Sequence, residues 1–154
     1  MPPKFSLQTV LDVRHSKVEL LEVELGRLNQ ERHQKTALCE ALASAMDTLY
    51  EKLHEQMRGE IDLFLIGHLR NNCNNLALQI HQVQKSILVL EKLIDQKRIE
   101  VVEAKKSEES LNILKTKESD RFMEEEKDKE RRFQDDIYIS QGFRHHQSEV
   151  KYDR

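Results

Sequence analysis

Stepping alternately by four and three residues from Leu7 lands on Leu7, Leu11, Arg14, Val18, Leu21, Leu25, Leu28, Arg32, Lys35, Cys39, Leu42, Met46, Leu49 and Leu53. Eleven of these fourteen positions are apolar. A second run covers Ile66, Leu69, Cys73, Leu76, Ile80, Val83, Ile87, Leu90 and Ile94, all nine of them apolar. It then thins through Lys97, Val101, Ala104, Glu108, Leu111, Lys115, Glu118 and Phe122, where four of eight are apolar. Such steps keep residues on one narrow stripe of a helix, and a stripe that long is buried only against another helix. The predicted fold class is all-α, built on a coiled coil.

The two runs are out of phase. Leu53 and Ile66 lie 13 residues apart, where an unbroken heptad needs 14. Carrying the first run past Leu53 gives Gln56, Glu60, Leu63 and Gly67, a poor stripe. The chain is therefore expected to turn between them. Gly59 in "MRGEID" is the residue best able to take unusual backbone angles, and Asp62 suits the cap of a second helix. The rival turn, "NNCNN" at 71–75, keeps Cys73 in phase on both sides and is the weaker choice. Ser6 suits the first N-cap, with Phe5 and Val10 placed for a hydrophobic staple.

A turn on Gly59 sets Leu53 opposite Ile66, Leu21 near Arg98, Arg14 opposite Lys105 and Leu7 near Asn112. The expected fold is a long antiparallel two-helix coiled-coil hairpin with unequal arms, a single domain over 1–154. Helix 1 is expected at about 6–57, the turn at about 57–61, helix 2 at about 62–141 and a polar tail at 142–154, since Gly142 is a helix breaker. Helix 2 then overhangs by some 28 residues, about 42 Å at 1.5 Å per residue. Between Lys115 and Asp136, 16 of 22 residues are charged, and Glu125–Lys129 and Asp128–Arg132 have favourable helical spacing. Leu111, Phe122 and Phe133 recur every 11 residues on nearly one line of a straight helix, and Ile137 extends that face. Phe122, Phe133, Ile137, Tyr138 and Phe143 point to a docking surface, because a helix this charged cannot bury them itself. Near the turn, Leu63, Phe64, Leu65 and Ile66 are four consecutive apolar residues that one helix cannot all turn inward. Phe64 and Leu65 are expected to face partly outward near Tyr50, either capping the hairpin end or meeting a partner.

Composition removes several function classes. With 25 basic and 28 acidic residues interspersed, the chain presents no clustered basic footprint for nucleic acid. No stretch approaches the roughly 20 apolar residues of a membrane span, and "MPPKFSLQ" lacks the apolar core of a signal peptide. The expected compartment is the cytosol, with Cys39 and Cys73 as reduced core thiols. They lie about 10 Å out of step along the axis, too far for a disulfide. The seven His show no zinc spacing, although His54 and His68 fall near each other. No phosphate loop, nucleophile motif or convergent carboxylate pair is present. Two rods side by side also leave no deep pocket. No catalytic, metal or cofactor residue is assigned, no small-molecule substrate is expected, and the chain reads as a non-enzyme.

"KFSLQTVLDVR" at the start, "LYEKLHEQMRGEI" before the turn and "ERRFQDDIYISQGFR" at the end resemble the FliJ family of flagellar export proteins, over Phe5 to Arg144. The resemblance implies an antiparallel coiled coil akin to the central stalk of rotary ATP synthases, working with the export ATPase of a type III secretion system. It implies that Phe5, Leu7, Phe122, Phe133, Ile137, Tyr138 and Phe143 enter the ATPase ring. Tyr50, Phe64 and Leu65 would meet the membrane export gate, giving a peripheral position at the inner face of the membrane. Export chaperones are a further implied partner. The alternatives are a homodimeric structural spacer and the stalk of a non-flagellar type III system; a chaperone that grips clients between its arms is a third. A hairpin is expected to be a monomer on its own.

Overall fold

The computed structural model describes residues 4–152, with side chains described through residue 147. It contains two long helices packed against each other, α1 (Gln8–Gln56) and α2 (Leu63–Tyr152), and no strand among the described residues. The fold is the expected two-helix hairpin. Thirteen of the fourteen positions in the first stripe are buried or half-buried, Leu7 being the exception. In the second stripe the same holds from Ile66 to Leu111, after which Lys115 and Glu118 are exposed.

The turn lies where the phase break puts it. The amides of Met57 and Arg58 close α1 by donating to the carbonyls of Leu53, His54 and Glu55 at 3.1–3.2 Å. Gly59 then takes φ 144°, a conformation that L side chains rarely adopt. Asp62 caps α2: its Oδ1 accepts from the amides of Phe64 at 3.1 Å and Leu65 at 3.4 Å. At the other end the cap differs from expectation. Leu7, not Ser6, offers the first helical carbonyl, to Leu11 N at 2.9 Å. Phe5 is buried but Val10 is 41% exposed, so the expected staple is not the feature that anchors this end.

Two compact units divide the chain. One is Met1–His15 with Lys106–Arg154; the other is Ser16–Lys105. The second contains the turn and a core of Val18, Leu21, Val101 and Ala104, with Leu25 packed against it. Ile94 is its most buried large side chain, at 1%. Burying a side chain of this kind stabilises by about 1.5–3 kcal/mol. The first unit buries Phe5, Leu11 and Leu111.

Two further expectations change. Leu21 packs with Val101, three residues beyond Arg98, and Arg14 Nη1 donates to the carbonyl of Ser107, where Lys105 was the expected neighbour. A symmetric turn sets the first register, but it leaves Leu21 facing an off-stripe residue; the observed one matches stripe to stripe. The second change concerns the tail. α2 continues through Gly142 to Tyr152, where a polar tail from 142 was expected. One interior glycine costs only about 1 kcal/mol relative to alanine, and no proline follows it. Residues 153 and 154 of that expected tail lie outside the described residues.

Candidate functional site

In the unit formed by Met1–His15 and Lys106–Arg154, Phe5 folds onto α2. It shares a shallow groove with Lys115, Glu118, Ser119, Arg121, Phe122 and Glu125. Phe122 is half-buried there, and it is the last described residue of α2 that is not exposed. From Met123 to Gln147 every side chain faces solvent. The line of Leu111, Phe122 and Phe133 records how cover is lost: 4% exposed, half-buried, then 67%. Ile137 (41%), Tyr138 (78%), Ile139 (66%) and Phe143 (62%) continue as exposed apolar residues.

Of the seven residues assigned to this end, the structure brings Phe5 and Phe122 together. Leu7 stands exposed just before α1, and Phe133, Ile137, Tyr138 and Phe143 are spread along the uncovered helix. Around them the surface is charged. Lys129 pairs with Glu126 at 3.8 Å, three residues apart, in place of the expected Glu125. Exposed pairs of this sort contribute about 0.2–0.5 kcal/mol each.

Two polar contacts tie the start of α1 to α2 in the same unit. Arg14 donates to Ser107 O at 2.8 Å, and His15 Nδ1 lies 2.6 Å from Glu108 Oε1. Arg14 interrupts the apolar stripe, and this bond satisfies its head while the stem stays half-buried.

At the turn, Leu63 and Phe64 are 80% and 88% exposed, while Leu65 is half-buried beside the buried Ile66. Tyr50 is also exposed and lines a hollow with Glu51, Leu53, His54 and Met57, all from its own side of the turn. Met57 and Ile61 add to this exposed apolar surface and were not singled out in the sequence. They precede the second stripe and belong to neither, which is the signal that would have marked them.

Among the described residues no group of three or more His, Cys, Asp or Glu is arranged to hold a metal ion, and both cysteines are free. No helix among them is long and apolar enough to cross a membrane.

The family model described as "Flagellar FliJ protein" matches residues 3–148, nearly the whole chain. The chain belongs to the FliJ family. No curated protein and no solved structure gives a significant match. FliJ membership makes it a component of the flagellar export apparatus, acting on its cytoplasmic side, in a family of non-enzymatic export components.

Proposed function

We propose that this FliJ protein is a non-catalytic stalk and adaptor. Its free end docks into the export ATPase ring and its turn end meets the membrane export gate, which holds it at the membrane periphery. The observation that carries the reading is the uncovered length of α2 from Met123 to Gln147, where Phe133, Ile137, Tyr138 and Phe143 face solvent on a charged helix. Large apolar side chains repeated along such a helix are stabilised when a partner removes them from water. A single chain without rotational symmetry, placed in a ring of identical subunits, contacts each subunit differently. It then biases their conformations by its differential affinity for them, which is how a non-catalytic partner changes a catalytic rate.

The turn end supports the second contact. Phe64 and Leu63 are almost fully exposed, with Tyr50, Met57 and Ile61 also uncovered. Phe64→Ala and Tyr50→Ala are expected to weaken gate binding with helix content unchanged; a large loss of helicity would instead assign these residues to capping the hairpin. Export chaperones fit as further clients of the exposed helical faces.

The deciding experiment measures purified export ATPase with the full-length chain and with a chain ending at Ser119. Full-length protein should raise the activity and the shortened one should lose most of that gain. A second variant, Phe133→Ser with Ile137→Ser and Phe143→Ser, keeps the length of α2 and should lose the gain as well. Equal stimulation by all three forms removes the docking role.

A further inference from the structure

The unit Ser16–Lys105 carries two cross-helix ion pairs, Lys97 Nζ to Glu24 Oε2 and Lys105 Nζ to Glu22 Oε1, each 2.9 Å long. Both sit at the end away from the turn. Among the described residues, no ion pair or hydrogen bond joins residues 25–56 of α1 to residues 63–96 of α2. On α1 the stripe is only half-buried from Leu25 to Leu53, and on α2 Leu76, Ile80 and Val83 are half-buried between the buried Ile66, Leu69 and Cys73 beside the turn and the buried Leu90 and Ile94 at the other end.

A heptad stripe fits its partner in more than one register. Sliding α2 by one heptad moves Leu21 from Val101 to Ile94 and Leu28 from the level of Ile94 to that of Ile87. The layers from Leu11 to Leu49 still match stripe to stripe, and Leu53 alone comes level with an off-stripe residue, Asp62. The turn does not separate the two arrangements. Symmetric closure puts Leu21 level with Arg98, which is three residues from the observed Val101 and four from Ile94. A slide the opposite way brings Arg32 level with Lys97 and moves the turn off Gly59. Charge does separate the observed register from the first slide. After that slide Lys97 comes level with Val18, about 10 Å from Glu24, and Glu24 comes level with Glu91.

We propose that the Glu22, Glu24, Lys97 and Lys105 clasp selects the register of the hairpin, and that the one-heptad slide is a second state of the same fold. Lys97 lies on the stripe and Glu22, Glu24 and Lys105 flank it, and charged residues at such positions are suited to specifying register because their partners exist in one alignment only. The inference rests on the fold and is independent of the docking reading.

Spin labels at Ala43 and Glu103, both exposed, test it in a Cys39→Ala, Cys73→Ala chain. Most of their separation lies along the helix axis, so the slide lengthens it by about 10 Å. With native charges one distance maximum is expected. Glu22→Lys with Glu24→Lys should add a second, longer maximum by about that amount, and adding Lys97→Glu with Lys105→Glu should remove it. A single unshifted maximum in the doubly substituted chain overturns the proposal, and so does a shift that the reciprocal change fails to reverse. If the charge reversals unfold the helices, Glu22→Gln with Glu24→Gln is read by the same labels and the same criterion.

Discussion

Lys97 occupies a stripe position where an apolar residue is the rule, and its amine is held by Glu24 across the hairpin and Glu100 one turn along. Hydrogen bonds to these two carboxylates, Glu24's first, raise its pKa above the ordinary 10.5. A pKa raised by folding gives stability that is fully present below the unfolded value and disappears as pH climbs through the folded one. The Glu24 contact should therefore stabilise the chain at neutral pH and fade only above about pH 10.5. Resonances of the Lys97 side chain followed by NMR should titrate above that value, and Glu24→Gln should bring them back toward it. An amine that titrates alike in both proteins would mean that the pair is not formed in solution.

Asp62 and Gly59 decide how α1 gives way to α2, and they act through different physics. Asp62 satisfies two amides at the start of α2, so Asp62→Ala should cost about 0.5–2 kcal/mol. A Cβ on Gly59 meets nothing within 4 Å, so the penalty of Gly59→Val comes from its φ alone, about 1–3 kcal/mol. Urea unfolding of both variants checks this, and a Gly59→Val chain as stable as the native one would mean the turn has another accessible shape. This part of the fold was legible because Gly59 and Asp62 are local signals lying at a break in phase. The stripes were legible for the same reason, since burial of Val18, Leu21, Ile94 or Leu111 follows from spacing alone. The register was not. Three residues separate the symmetric alignment from the observed one, and spacing within each stripe is blind to how two stripes align. The end of α2 was also missed, because Gly142 weakens a helix without stopping it. At the candidate site, exposure of Phe133 and Phe143 was readable from the thinning stripe, whereas the fold-back of Phe5 onto Phe122 depended on the register.

For the molecule as a whole, the question is whether one chain suffices. Within Ser16–Lys105 the stripe of α1 is covered by the stripe of α2 from the same chain, with Val18 and Leu21 against Val101 and Ala104. A homodimer paired along its whole length would need those stripes for its partner, so the hairpin and the extended dimer compete for the same surface. Apolar residues do remain outside the stripes, among them Leu20, Val23, Leu88, Val89, Ile99 and Val102. They fall singly or in pairs between charged neighbours such as Lys92, Asp95 and Lys106, and scattered exposure of this kind is normal for a protein surface. The hairpin should accordingly be a monomer whose folding does not depend on concentration. Mass action makes the Tm of an obligate dimer rise with protein concentration, while that of a monomer stays fixed. Thermal unfolding followed by circular dichroism over a hundredfold range of concentration should give one Tm, and sedimentation should give the mass of a single 18.2 kDa chain. A Tm that climbs with concentration would transfer the stripes to an intermolecular contact, and with it the end of α2 would cease to be an uncovered arm.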